Sequence, residues 1–215
     1  MSSDTLPLVV LLHGLLMPAA SMIPLERSLR RAGFATRRVS YSSRSTPWQD
    51  NVEILRGEIQ RCHAQRIHFI GHSMGGLIAT ALLNDSPGIA AGSVVAIGTP
   101  FQGSSAAKTL QNFPGGRRLL GGAAPLLLSG LAPRWLDRRP LHIIAGTSGV
   151  GVTRLLFGRG LRAPHDGVVS VAECTVEGAS SLHRFNSNHT LLLVNRGVIA
   201  TTLALLEKSE LEVVA

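Results

Sequence analysis

The residues of this chain best suited to chemistry lie in the string Gly71-His72-Ser73-Met74-Gly75. The apolar stretch Arg66 to Ile70 precedes it and a helix-forming stretch over residues 77–84 follows. A G-x-S-x-G string between a strand and a helix sets the serine in a tight turn with strained backbone angles. The two glycines let strand and helix approach closely. The hydroxyl then stands at a helix N-terminus, where free N–H groups and the dipole favour developing negative charge. A serine hydroxyl is a weak nucleophile until a base takes its proton, and the base must be oriented by an acid. With this motif the chain order is serine, acid, histidine. His165, His183 and His189 follow the first acid that could serve. His189 is the expected base, because Asn186-Ser187-Asn188-His189-Thr190 reads as a polar loop between the last strand and the last helix. His183 falls inside a strand and His165 precedes the favoured acid. Of Asp137, Asp166, Glu173 and Glu177, Asp166 is expected to be that acid, since Asp166-Gly167-Val168-Val169 follows the fifth strand through a Gly- and Arg-rich loop. Asp137 stands among Arg134, Arg138 and Arg139 and suits a surface ion pair.

A tetrahedral intermediate needs donors for its oxyanion. The N–H of Met74, directly after the serine, is one candidate. The second is the Leu15 N–H, in the His13-Gly14-Leu15 loop after the first strand, where Gly14 lets the backbone turn inward. His13 reads as a structural, hydrogen-bonding residue, His72 as packing beside the turn, and His68 as a satisfied core histidine. The eight histidines show no metal-ligand spacing such as H-E-x-x-H, so no catalytic metal is expected.

These groups need elements to position them. Leu6 to Leu12 is a continuous apolar run, the mark of a strand covered on both faces. Residues 19–32 read as a helix with Ser21 as N-cap and Pro24 in its first turn, stopped by Gly33. Phe34 to Tyr41 reads as the second strand, and residues 48–64 carry Trp48, Val52, Leu55, Ile59 and Cys62 at helical spacing. Strands follow at Arg66–Ile70, Ser93–Ile97, Leu141–Ala145 and, weakly, Leu182–Phe185, with a closing helix over 190–207. Short apolar strands alternating with helices predict an α/β fold with a parallel sheet and right-handed crossovers. Residues 101–138 interrupt that rhythm with helical patches near 104–112 and 119–131, and read as a short cap-like insertion in a single domain over 1–215.

The 215 residues, 45% apolar and 16% charged, exclude the disordered class. No apolar run is long enough to span a membrane. With only Asp4 charged ahead of the first apolar run, no export signal is read and a cytoplasmic location is expected. Two cysteines exclude a disulfide scaffold. The net charge is +8, and residues 101–170 hold nearly all the excess, with nine basic and two acidic side chains. Aromatic content of 4% and the absence of a recognition motif argue against nucleic acid as a partner.

The strings Val9-Val10-Leu11-Leu12-His13-Gly14-Leu15, Gly71-His72-Ser73-Met74-Gly75-Gly76, Gly98-Thr99-Pro100-Phe101-Gln102-Gly103-Ser104, Asp166-Gly167-Val168-Val169 and Asn188-His189 resemble those of α/β-hydrolases, specifically the small bacterial lipase and esterase group. They extend over most of the chain. The resemblance implies a minimal α/β-hydrolase fold of about six mostly parallel strands with helices on both faces. It also implies hydrolysis of carboxylic esters through an acyl-enzyme, without a cofactor. The chain is short for the family, and residues 101–138 stand where a longer lid is usual.

The site of such a fold opens at the carboxyl edge of the sheet. Leu16, Met17 and Phe101, with the Leu126-Leu127-Leu128 patch, are therefore expected to hold an acyl chain. The stretch Leu119 to Leu131, amid the basic residues, would suit an anionic lipid interface. The substrate is thus a small-molecule or lipid ester. The same three residues could instead serve an acyltransferase or a thioesterase, and a non-catalytic binding protein could keep the fold.

Overall fold

A computed structural model describes residues 6–86, 88–90, 92–131, 134–135, 137–150 and 160–214. Asp4, residues 132–133 and 136 of the predicted insertion, and residues 151–159 of the loop between Ala145 and Asp166 lie outside the described residues.

Among the described residues six strands form one sheet: β1 Leu8–Leu12, β2 Ala35–Val39, β3 Ile67–His72, β4 Val94–Ile97, β5 Leu141–Gly146 and β6 Ser181–Phe185. Their spatial order is β2-β1-β3-β4-β5-β6 and every pairing is parallel. The expected "mostly parallel" sheet is thus wholly parallel. Continuous apolar runs explain why β1, β3 and β4 are buried along their whole length. The two-residue period of a strand sends alternate side chains to opposite faces. Leu8, Val10 and Leu12 face helices α2 (Trp48–Gln60) and α3 (Met74–Asn84), packing with Leu55, Ile59, Leu77 and Ile78. Val9 and Leu11 face α1 (Ile23–Arg31) and the C-terminal helix Arg196–Val214, packing with Leu25, Leu29, Val198 and Leu206. Helices therefore cover both faces.

β1 has β2 on one side and β3 on the other, so the order reverses between β1 and β3. Their loops leave in opposite directions and open a crevice at the carboxyl ends, the usual ligand position in open α/β sheets. His13-Gly14-Leu15 and Ser73 flank that crevice.

Several expectations are corrected. Ser21 caps no helix: residues Ala19–Met22 form a 3-10 turn, the N-cap of α1 is Met22, and the Ser21 hydroxyl donates to the Pro18 carbonyl at 2.8 Å. The helix after Ser73 starts at Met74, not 77. The closing helix begins only at Arg196, after a 3-10 turn at Leu191–Leu193. Asp137 does pair with Arg139, at 2.5 Å, but both side chains are buried, not at the surface. Cys174 is fully buried and Cys62 partly so, and both are free.

Among the described residues the insertion holds three short α-helices, α4 Ser105–Leu110, α5 Gly116–Leu120 and α6 Ala124–Ser129. The Ser104 N–H donates to Leu127 O at 2.7 Å and the Leu131 N–H to Phe101 O at 3.2 Å, which closes the segment on itself. The Gly122 N–H donates to Arg44 O at 2.7 Å and ties it to the loop after β2.

Candidate active site

Ser73 sits between β3 and α3 with φ 54° and ψ −122°, a backbone conformation that costs on the order of 1–3 kcal/mol for a non-glycine residue. The neighbouring structure holds it there. Its N–H donates to Ile97 O at 2.8 Å and its carbonyl accepts from the Gly76 N–H at 3.1 Å. Gly75 is required by packing, since a Cβ on it would lie 2.4 Å from the Leu12 carbonyl oxygen and 2.7 Å from that of His13. The strand-to-helix turn therefore presses directly on the end of β1.

Asp166 is fully buried. Its Oδ1 accepts from the N–H groups of Val168 at 2.9 Å and Val169 at 2.7 Å, and its Oδ2 accepts from His189 Nδ1 at 2.7 Å. Burial pushes the Asp166 carboxyl up. The opposing pull of His189 and of the two amide donors is stronger, so the group is held below the ordinary carboxylate range. A carboxylate only accepts, so His189 carries its proton on Nδ1 and leaves the Nε2 lone pair free. The His189 backbone is fixed as well: its N–H donates to Asp166 O at 3.0 Å and its carbonyl accepts from His72 Nε2 at 3.1 Å. Gly98, at the end of β4, has φ 58°, and a Cβ there would lie 3.0 Å from His189 Cε1. Only glycine meets both conditions at that position.

His72 is fully buried, with its ring 4.7 Å from that of His189. It packs beside the turn as expected, and it also clamps the His189 main chain, a role its neighbours in sequence do not announce. Its Nδ1 has no hydrogen-bond partner among the described residues. A Cβ on Gly14 would lie 3.1 Å from that nitrogen and 3.1 Å from Ser73 Cβ, so the loop after β1 lies against the serine.

The structure thus brings Asp166 and His189 into direct contact and places Gly14, Ser73 and His189 around His72. Among the described residues no hydrogen bond joins Ser73 Oγ to His189. The other candidates are engaged elsewhere. Glu173 accepts from the Ser170 and Ser105 N–H groups at two helix starts, Glu177 pairs with Arg134, His183 Nε2 meets Ser181 Oγ at 2.9 Å, and His165 Nδ1 accepts from the Gly167 N–H. His68 is buried and satisfied by the Ser93 N–H and Glu210. His13 is buried, stacked on Tyr41 and bonded through Nδ1 to Gly14 O. Leu16 is 56% exposed at the crevice and Met17 is partly buried. Phe101 is only 2% exposed and packs in the core on the α2–α3 side, as do Leu126 and Leu127. These three apolar side chains are core, while Leu119 in the stretch Leu119 to Leu131 is exposed.

A family model described as "Alpha/beta hydrolase family" matches residues 9–194, and the chain belongs to that family. No curated protein matches it significantly. Among solved structures, it is similar to the mature form of a lipase from Bacillus licheniformis, with 17% identity, TM-score 0.78, and coverage of 95% of this chain and 93% of the other. It is similar to a metagenomic carboxyl esterase, with 19% identity, TM-score 0.66, and coverage of 100% and 78%. It is also similar to a type II thioesterase from the borrelidin biosynthetic cluster, with 16% identity, TM-score 0.64, and coverage of 96% and 93%.

Proposed function

We propose that this protein is a serine hydrolase that cleaves carboxylic esters of apolar acyl groups through an acyl-enzyme. One observation carries the reading. A buried Asp166–His189 pair stands at the carboxyl edge of the sheet beside a serine held in a strained turn. His189 Nε2 takes the Ser73 hydroxyl proton as Oγ forms a bond to the ester carbonyl carbon. The resulting oxyanion lies against the N–H groups of Leu15 and Met74. Collapse breaks the ester C–O bond, and the leaving alcohol takes its proton from His189. Water then attacks the acyl-enzyme by the same route, which releases the carboxylic acid and restores Ser73. Asp166 stays ionised throughout and stabilises the imidazolium. The Ser73–His189 hydrogen bond forms when substrate is bound, as is common for catalytic contacts that are loose without ligand.

Leu16 and Met17 border the crevice and are assigned to the acyl chain. We treat the chain as one domain with residues 101–138 as its cap. Leu16 at the crevice and Phe113 and Leu119 in the insertion are exposed apolar side chains, and Arg44, Arg117 and Arg118 are exposed as well. Among the described residues none of these three arginines pairs with a carboxylate, which suits an anionic lipid surface. The test of function is a p-nitrophenyl ester series, acetate through palmitate, with acyl thioesters alongside, on wild type and Ser73→Ala. Ser73-dependent ester hydrolysis supports the proposal. Turnover of thioesters alone would replace it with a thioesterase, and Ser73-independent or absent turnover would refute it.

A further inference from the structure

Among the described residues, two non-glycine residues have positive φ: Ser73 at 54° and Leu16 at 57°. They lie on the two loops that flank the crevice. The turn at Ser73 is explained by the G-x-S-x-G string between β3 and α3. Leu16 lies in the turn that the Met17 N–H closes on Gly14 O at 3.3 Å, where a positive φ is still costly for its branched side chain. A contact from outside the loop adds to that turn. The Leu16 N–H donates to Ser43 Oγ at 2.9 Å, across 27 residues of chain. Two residues before Ser43, the Tyr41 hydroxyl donates to the His13 carbonyl, and the Tyr41 ring stacks on the His13 ring at 4.1 Å and 11°. Tyr41 and Ser43 are both buried. The β2–α2 loop that carries Ser43 is itself anchored, since Asn51 Nδ2 donates to Ser42 O at 3.1 Å and Arg44 O accepts from the Gly122 N–H.

These two side chains grip the loop after β1 at its His13 carbonyl and its Leu16 N–H. Leu15 lies between the two grips. Its own N–H donates to no backbone or side-chain acceptor among the described residues. We infer that Tyr41 and Ser43 form a clasp that pre-sets the Leu15 N–H as an oxyanion donor, with Ser43 the positioning residue that keeps Leu16 left-handed. The inference rests on the assignment of Leu15 N–H made under the proposed function. Preorganised donors stabilise a transition state because they need no reorganisation as charge develops, and the clasp supplies that rigidity from a neighbouring element.

The test compares wild type, Ser43→Ala, Ser43→Thr and Tyr41→Phe in two readouts. The first is kcat and KM on p-nitrophenyl butyrate. The second is amide hydrogen exchange at Leu16 by NMR, which needs no turnover. Loss of one hydroxyl bond corresponds to about a 5–10-fold effect. Ser43→Ala is expected to lower kcat by about that factor, with KM within about 2-fold, the signature of an interaction made in the transition state. Leu16 exchange accelerates comparably, and Ser43→Thr recovers both. Tyr41→Phe keeps the ring stack and is expected to lose less in each. Unchanged Leu16 exchange in Ser43→Ala overturns the clasp. So does faster exchange without a fall in kcat, and so does a loss that follows the unfolding midpoint and is not rescued by threonine. If wild type hydrolyses no ester, the proposed function fails, and the exchange measurement still decides whether the clasp exists.

Discussion

His72 makes the stability of this protein depend on pH in a way that can be worked from the structure. Burial, with the neighbouring His189 adding to it, pushes the His72 imidazole down from its ordinary 6.5 to about 3. Between those values the unfolded chain binds a proton at this position that the folded chain refuses, so stability falls as pH falls through that window. From pH 7 to pH 5, His72 alone removes about 2 kcal/mol. For a chain of this length that corresponds to about 4–8 °C in the unfolding midpoint. His72→Gln keeps an N–H able to reach the His189 carbonyl and does not titrate. Urea unfolding of both proteins at pH 5, 6 and 7 isolates the contribution. His13, His68 and His142 are also lowered by burial, but they act equally in the two proteins. The depressed Asp166 and Glu58 carboxyls withdraw their stabilisation only at lower pH, as each is protonated. Wild type should therefore lose about 2 kcal/mol more than His72→Gln on going to pH 5. Parallel pH profiles would refute the reasoning.

Asp166→Asn keeps the volume of the side chain and removes the charge that holds His189 in its productive tautomer. It should lower kcat by roughly 10³–10⁴-fold while KM changes little, as read in ester hydrolysis. Gly75→Ala drives a Cβ into the Leu12 and His13 carbonyls and should destabilise by about 1–3 kcal/mol, measured by denaturant unfolding. The kcat/KM profile should rise with pH along a single-proton limb, because His189 must be neutral to accept the serine proton. A flat profile would count against it as base. Binding to vesicles should increase with anionic lipid, weaken with salt, and drop for the Arg44→Gln, Arg117→Gln, Arg118→Gln triple variant in flotation assays.

The fold was readable where local chemistry dictates it. The apolar runs of β1, β3 and β4 announce strands covered on both faces, and the Gly71–Gly75 string announces the turn that carries Ser73. Asp166 and His189, read from chain order and loop placement, do lie in hydrogen-bond contact. What could not be read depends on partners distant in sequence. Ser21 has the chemistry of a cap, yet its hydroxyl goes back to Pro18 because the chain enters α1 through a 3-10 turn. Phe101 sits in a loop over the carboxyl edge and reads as pocket lining, but the insertion folds down and packs it into the core. Gly75-Gly76 weakens helical patterning, so the sequence places the start of α3 too late, although these glycines are what let it begin at Met74. The roles of His72, Tyr41 and Ser43 rest on hydrogen bonds that span 117, 28 and 27 residues, and no spacing in the chain signals them.

The central claim is that Ser73 is a nucleophile activated by His189. Covalent labelling with a fluorophosphonate, followed by peptide mass spectrometry, tests it most directly because it needs no knowledge of the natural substrate. The account predicts one adduct per chain, on the peptide containing Ser73, absent in Ser73→Ala and formed at least about 10²-fold more slowly in His189→Ala. An unlabelled Ser73, or labelling equally fast without His189, would contradict it.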